Sequence, residues 1–213
     1  FVQMKPSVFG VPPVLRFEKD WSSAAFWFEL SVFFPDLKLY FPGLQLDSLQ
    51  PDNKAKDYFG EFGLYTYEQN GAIFFDIKPN SPEQISFEMT NCPDLFLPLV
   101  LACAGIGAEA VFTGVSHLAY KESNRIALLQ ENLSLFGVET TVNESGDFYL
   151  PGNQIFLEKE AEINHGNDHR MAMAFAMLSL RYPQVKIPDM SCTSKSYPEF
   201  ISEFESLKKL LSP

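Results

Sequence analysis

The chain has 213 residues, of which 46% are hydrophobic and 20% are charged, as is usual for a globular protein with a substantial core. Its formal net charge is −11, which argues against nucleic acid as a partner because phosphate backbones select basic surfaces. An anionic ligand would have to be met by a local cluster of basic residues.

Residues 14–77 predict a first unit of strands and helices, preceded by a strand at 1–6. The first helix of this unit extends from Ser22 to Phe34 and is apolar on nearly every face, which indicates full burial. Asp20 or Ser22 can cap it, because a short side-chain oxygen accepts hydrogen bonds from the free amides of a first turn. Strands are predicted at 37–41 and 72–77.

Residues 84–150 predict the same order of elements a second time. The apolar helix at 93–107 contains Pro98, which we expect to kink it. An amphipathic helix follows, and its apolar stripe consists of Ile126, Leu129, Leu133 and Phe136. Strands are predicted at 109–115 and 147–150.

Residues 154–213 predict a third unit that is shorter than the other two. An apolar helix is expected at 167–180, then a strand at 184–188. The apolar stripe of its amphipathic helix consists of Phe200, Ile201, Phe204 and Leu207. The two closing strands of the earlier units have no counterpart. Because unpaired sheet edges are a liability, we expect another segment of a longer parent chain to supply them; a short third sheet is the alternative.

A fixed interval of 74 residues relates the three units. Asp20, Asp94 and Asp168 each open an apolar helix at this spacing (94 − 20 and 168 − 94), and Lys121 and Lys195 share it (195 − 121). Several landmarks in one register indicate a single supersecondary unit used three times. The predicted fold class is therefore α/β, with three βαβαββ-type repeats and buried central helices.

Polar residues gather where the predicted strands pass into helices. In such folds these junctions face the same way, and free amides at helix amino ends favour an anion there. Asp94 and Glu122 lie in this rim and could move protons. The rim also carries four cations, whose geometry and charge suit phosphate and carboxylate groups: Lys121, Arg125, Arg170 and Lys195.

Each of these residues has a plainer interpretation when it is taken alone. Asp94 is more often a helix cap than a base. Lys121 and Glu122 resemble a solvated helix start, and His169 a hydrogen-bonded rim residue. The recurrence in the 74-residue register favours the functional interpretation.

The three cysteines form no Cys-x-x-Cys pair, which predicts reduced thiols and a cytoplasmic location. The longest apolar run, 95–106, is too short to span a bilayer, and no signal peptide is apparent. The chain begins at Phe1 rather than at a methionine, so we expect a fragment or a processed product.

Five segments resemble the C-terminal half of the 5-enolpyruvylshikimate-3-phosphate synthase family. They are EKDWSSAAFWF (18–28), CPDLFLPLVLACA (92–104), HLAYKESNRI (117–126), NDHRMAMAFA (167–176) and CTSKSYPEF (192–200). The resemblance implies two similar domains, each of three βαβαββ units, with the start of the parent chain completing the C-terminal domain. This chain would then be the C-terminal domain, with the N-terminal domain as its partner. The resemblance thus implies one domain over 1–213, an inside-out α/β barrel whose third repeat lacks its closing strands.

The resemblance also implies a reaction: transfer of the enolpyruvyl group from phosphoenolpyruvate to the 5-hydroxyl of shikimate 3-phosphate, with release of phosphate and without a metal or organic cofactor. Asp94 matches the carboxylate that contacts the shikimate hydroxyls and takes the proton, and Glu122 the acid near the phosphoenolpyruvate methylene. The residues that match the substrate contacts are Arg125, Arg170 and Lys195 on phosphoenolpyruvate, with His169 beside them, and Lys121 and His117 on the shikimate side.

Two positions depart from the family's H-L-R-x-K-E-S-D-R pattern: Ala119 replaces the arginine and Asn124 the aspartate. We expect these changes to weaken the support of Lys121 and Arg125. Most of the shikimate-phosphate site lies in the family's other domain, so this chain alone is expected to be inactive. The alternatives are a non-catalytic binding module that retains the fold and a UDP-N-acetylglucosamine enolpyruvyl transferase, which shares it.

Overall fold

The computed structural model describes residues 18–211. The helices in this range are α1 (Trp21–Phe33), α2 (Ala55–Tyr58), α3 (Phe96–Ile106), α4 (Arg125–Ser134), α5 (His169–Arg181) and α6 (Phe200–Leu211). The strands are β1 (Tyr40–Pro42), β2 (Leu64–Gln69), β3 (Ala72–Ile77), β4 (Gln84–Glu88), β5 (Glu109–Thr113), β6 (Thr141–Val142), β7 (Phe148–Leu150), β8 (Ala161–Glu162) and β9 (Val185–Lys186). The strand predicted at 1–6 lies outside the described residues.

Helices α1, α3 and α5 pack against one another at the centre of the molecule. Their residues are buried on nearly every side, as their uniformly apolar sequences predict. The three helices pack tightly around Gly105 of α3. A Cβ atom at this position would lie 2.8 Å from Cζ of Phe33 in α1 and 3.3 Å from Cδ1 of Leu178 in α5. The prediction of three buried helices is confirmed, and α1 and α5 begin 148 positions apart, twice the repeat interval.

Three separate sheets surround these helices. Their strand orders are β1-β3-β2, β4-β5-β7-β6 and β8-β9. In the first sheet β3 pairs antiparallel with β1, and in the second β7 pairs antiparallel with β5. Between residues 18 and 211, β9 pairs only with β8, in parallel, and none of the three sheets closes into a barrel. The described fold is therefore mixed α/β.

The two amphipathic helices α4 and α6 lie outside the central helices with one face inward. The predicted stripe of the α4 region is largely correct, because Leu129, Leu133 and Phe136 are fully buried. In α6, Phe200 and Phe204 are buried, but the prediction for Ile201 was wrong: its side chain is 36% exposed. One helical step rotates a side chain by about 100°, which turns Ile201 away from the face that these phenylalanines share.

Pro98, at which a kink was predicted, lies close to the start of α3. A 3-10 turn occupies Pro93–Leu95, and α3 begins only at Phe96. Pro98 is therefore the third residue of α3, in the first turn, where a missing N–H group costs little.

Candidate functional site

The three repeated aspartates do not have the same structural role. Asp20 caps α1 by accepting hydrogen bonds from the amides of Ser22 (3.2 Å) and Ser23 (3.0 Å). Asp168 caps α5 by accepting from the amide of Arg170 at 3.0 Å. Asp94 instead lies in the 3-10 turn ahead of α3 and caps no helix. The capping interpretation is thus confirmed for Asp20 and Asp168 and wrong for Asp94, whose carboxylate is available to other partners.

Arg125, the first residue of α4, is surrounded by carboxylates. Its Nη1 lies 3.0 Å from Oδ1 of Asp94, its Nη2 lies 2.8 Å from Oε2 of Glu122, and its Nε lies 2.8 Å from Oδ2 of Asp168. The arginine side chain is only 1% exposed. Three acids from two different units are therefore held around one guanidinium group.

Arg170 adds a second guanidinium group on the open side of this arrangement. Its Nη2 lies 2.9 Å from Oδ2 of Asp94, and its side chain is 16% exposed. Asp94 thus bridges two arginines, one from the second unit and one from the third. We refer to the five residues Asp94, Glu122, Arg125, Asp168 and Arg170 as the arginine cluster.

The charges of the arginine cluster act on its most buried acid. Burial alone would raise the pKa of the Asp168 carboxyl, but the hydrogen bonds and charge of Arg125 outweigh it and hold this pKa below its ordinary value. The hydroxyl of Ser123 also donates to Asp168 at 3.1 Å. Asp168 is therefore an ionised counter-ion for Arg125 as well as a helix cap.

Asn124, one of the two departures from the family pattern, has a clear local function. Its side-chain oxygen accepts a hydrogen bond from the amide of Ala127 at 3.1 Å and so caps α4. Asparagine and aspartate are about equally good in this role. The start of α4, and with it Arg125, is therefore well supported despite the substitution.

His169, the first residue of α5, lies beside the arginine cluster. It is buried, and its Nδ1 atom has no hydrogen-bond partner among the described residues. Burial and the charge of Arg170 lower the pKa of this imidazole. His169 is accordingly a neutral imidazole next to a cation.

The remaining predicted site residues do not contact the arginine cluster. Lys195 ends a 3-10 segment, Ser191–Lys195, that packs against α5, and it is exposed. His117 is half-buried and Lys121 is exposed in the segment that leads to α4. Within residues 18–211, none of these three makes an ion pair with the cluster's acids, so the structure brings together Asp94, Glu122, Arg125 and Arg170 only.

The first unit contributes an acid that sequence reasoning missed. Asp52, in the 3-10 segment Pro51–Lys54, is 7% exposed and accepts a short hydrogen bond from the Ser22 hydroxyl. Asp52 and Asp94 both line a cavity of about 260 Å³. Burial raises the pKa of Asp52, and the charge of Asp94 contributes in the same direction. The position 74 residues further on is Ile126, so the repeat gave no signal for this acid.

A larger groove of about 670 Å³ lies elsewhere, between the start of α1, strand β1 and the segment before α6. Its lining includes Asp20, Trp27 and Tyr197 but none of the predicted site residues. Size alone therefore does not identify the candidate site, which we place at the arginine cluster because its charged groups converge there.

None of the helices between residues 18 and 211 combines the length and the apolar character that crossing a lipid bilayer requires.

Relatives in two bacteria are similar to this chain along most of its length. The 3-phosphoshikimate 1-carboxyvinyltransferase of Bacteroides fragilis strain YCH46 is 30% identical over 185 residues, which cover 86% of this chain and 45% of the relative. The enzyme of the same name from Dehalococcoides mccartyi strain BAV1 is 31% identical over 197 residues, which cover 92% and 45%. The chain thus spans about half the length of the curated relatives it matches.

Solved structures show a similar fold. EPSP synthase from Acinetobacter baumannii has a TM-score of 0.67 at 23% identity, covering 90% of this chain and 46% of that one. The enolpyruvyl transferase NikO from Streptomyces tendae has a TM-score of 0.63 at 14% identity, covering 90% and 43%. The family model described as EPSP synthase (3-phosphoshikimate 1-carboxyvinyltransferase) matches residues 5–204. The chain belongs to the EPSP synthase family.

Proposed function

We propose that this chain supplies one half of the active site of an enzyme that transfers the enolpyruvyl group from phosphoenolpyruvate to the 5-hydroxyl of shikimate 3-phosphate. The observation that carries the proposal is the position of Asp94 between the guanidinium groups of Arg125 and Arg170. A carboxylate that caps no helix and lies beside two cations is placed to accept a proton next to a bound anion. The two bacterial relatives, both named 3-phosphoshikimate 1-carboxyvinyltransferase, support the same activity.

In this proposal Asp94 takes the proton of the attacking hydroxyl. Glu122 is the acid next to the methylene carbon of phosphoenolpyruvate. Arg170, which is partly exposed, and Lys195, which is free of ion pairs within the described residues, bind its anionic groups. Both substrates are polyanions, so these cations offset their mutual repulsion and the charge that develops during reaction. Holding the two molecules together is itself a large part of the catalysis.

Arg125 would act differently from Arg170 and Lys195, the other two residues expected to bind phosphoenolpyruvate. All three of its nitrogen atoms are already bonded to carboxylates. Its side chain is only 1% exposed, so it is less open to a ligand than Arg170, which is 16% exposed. Its first role in our proposal is to hold these two acids in place. His117 and Lys121 belong to the shikimate side, and His169 supports Arg170.

We also propose that the chain is one domain, with repeats at 14–77, 84–150 and 154–213, and that a second domain of the parent chain closes over the arginine cluster. Three acids surround two guanidinium groups there, so further cations must come from outside it. The pairing of β9 supports this. Within residues 18–211, β9 pairs only with β8 in parallel, whereas β1 and β5 each have an antiparallel neighbour. Added strands would complete the inside-out barrel.

The test is steady-state kinetics of the protein that contains this chain, with Arg170→Ala. Loss of a charged hydrogen-bond partner should cost roughly 2–3 kcal/mol, which raises the KM for phosphoenolpyruvate by roughly 30- to 150-fold. Arg181→Ala is the matched control, because Arg181 is exposed at the other end of α5 and should leave the KM unchanged. Equal KM values for both variants, or product formed only with UDP-N-acetylglucosamine as acceptor, would refute the proposal.

A further inference from the structure

Within the described part of the chain, Asp52 has no cation paired with it, although Arg170 is near enough to act on its charge. Its segment, Pro51–Lys54, packs against α1 and against the turn Pro93–Leu95. Among the described residues, only the Ser22 hydroxyl is hydrogen-bonded to its carboxyl, and no lysine, arginine or histidine nitrogen lies within ion-pair distance of it. Its side chain is almost completely buried.

The other charged groups near Asp52 are mostly negative. Asp94 and Asp20 act on it as like charges and Arg170 as an opposite charge. The thiol of Cys92 is also near, and Lys54 of the same segment is already paired with Asp57 at 3.2 Å. Asp52 therefore has no cation of its own, whereas Asp94 has two.

The cavity that Asp52 and Asp94 both line is small. It measures about 260 Å³, and its other polar side chains are Ser22, Gln50 and Asn91. Asp52 and the arginine cluster together contain four carboxylates and two guanidinium groups, so the region is already negative before any anion arrives. A further anion will be accommodated most cheaply if one carboxyl becomes neutral.

We propose that Asp52 is a positioning residue that takes up one proton from solvent when an anionic substrate binds beside Asp94, and returns it when the ligand leaves. The carboxylate and the proton combine to a neutral carboxylic acid, so the cavity between the two acids no longer holds two negative charges. Asp94 keeps its charge because two guanidinium groups face it. The inference rests on the proposed function for the identity of the ligand.

Burial and the like charge of Asp94 support this assignment, since both raise the pKa of Asp52. The Ser22 hydroxyl acts in the opposite direction because it donates to the charged form. Ser22 therefore sets how readily the carboxyl is neutralised, which gives a second way to test the proposal.

The experiment is calorimetric titration of the protein that contains this chain with shikimate 3-phosphate, in buffers of different ionisation enthalpy at one pH near neutrality. The dependence of the binding enthalpy on the buffer counts the protons taken up. We expect uptake of a measurable fraction of a proton, at most about one, by the unchanged protein. Asp52→Asn should bind with this uptake abolished. Ser22→Ala should change it, because loss of the donated hydrogen bond raises the pKa of Asp52 in both the free and the bound protein.

Asp76→Asn is the control, because Asp76 is exposed and lies outside the cavity. It should leave the proton count unchanged. Uptake that is absent from the unchanged protein, or equal in the unchanged protein and both test variants, would overturn the role of Asp52 while leaving the proposed function intact. If shikimate 3-phosphate does not bind at all, the proposed function fails, and this inference fails with it.

Discussion

The Nε atom of Arg125 lies 2.8 Å from Oδ2 of Asp168, 43 positions further along the chain, and both side chains are buried. This pair joins the start of α4 in the second unit to the start of α5 in the third. Asp168 also caps α5 through the amide of Arg170. One carboxylate therefore fixes the position of a helix and the position of a guanidinium group that holds two further acids.

Replacing Arg125 by methionine should strongly destabilise the protein. The change leaves Asp168 buried without its cation, which typically costs about 3–5 kcal/mol. The free energy of unfolding in urea measures the loss. Lys186→Met is the matched control, since it breaks the exposed ion pair with Glu160 (3.3 Å) and should cost about 0–1 kcal/mol. Losses of similar size in the two variants would contradict the central structural role of Arg125.

Glu29 of α1 should make the stability of the protein fall as the pH rises. It is fully buried, and neither carboxyl oxygen has a hydrogen-bond partner among the described residues. Burial raises the pKa of this carboxyl well above its ordinary value of 4.5. The folded state therefore holds the proton more tightly than the unfolded state. The contribution of Glu29 to stability is complete below pH 4.5 and is lost as the pH rises from there through the raised pKa.

Glu29→Met removes this penalty and should raise the free energy of unfolding at pH 7 by about 1–3 kcal/mol, with the gain shrinking toward acid pH. Urea denaturation across this pH range measures it. Glu131→Met makes the same chemical change at an exposed position of α4 and should show no such trend. A gain that is constant with pH would mean that Glu29 does not titrate as its burial implies.

Gly105→Ala should destabilise the protein, because Gly105 lies where the three central helices pack together. The added methyl group would collide with the ring of Phe33 and approach Leu178, and overpacking of a core typically costs about 1–3 kcal/mol. Thermal unfolding is the measurement. Gly60→Ala is the control, because a Cβ there meets no atom within 4 Å and should be neutral or mildly stabilising. Wild-type stability in Gly105→Ala would show that these helices have room to separate.

The three thiols should differ in reactivity. Burial raises the pKa of Cys92 to about 11 and that of the fully buried Cys103 further, whereas Cys192 is only half-buried. A thiol reagent should thus modify Cys192 first in the folded protein and all three in urea. Cys192→Ser should abolish the fast reaction. Rapid modification of Cys92 or Cys103 before unfolding would contradict the packing described around them.

The parts of the fold that depend on local pattern could be predicted from the sequence. Uniformly apolar segments gave the buried helices, and the 74-residue interval gave Asp20 and Asp168 as equivalent caps. The role of Asp94 could not be read in this way. Its partners Arg125 and Arg170 are brought to it by the packing of separate units, whereas the repeat indicated only that these residues share one rim.

The same limit explains why the surroundings of two charged residues could not be predicted from the sequence. Arg125 was expected to bind phosphoenolpyruvate because it matches a contact residue of the family, but the sequence did not indicate that three acidic neighbours would surround it and make its burial possible. Asp52 carried no signal because its relation to Asp94 is purely tertiary. Ile201 was misplaced because four apolar residues suggested a broader stripe than α6 buries.

The double duty of Asp168 affects how variants of this protein should be designed. An alanine there would remove the cap of α5 and one of the three acids around Arg125 at once, so a loss of activity could not be assigned to the reaction itself. Asparagine keeps an oxygen for the amide of Arg170 and removes only the charge. Comparing the two replacements would separate damage to the scaffold from damage to the reaction.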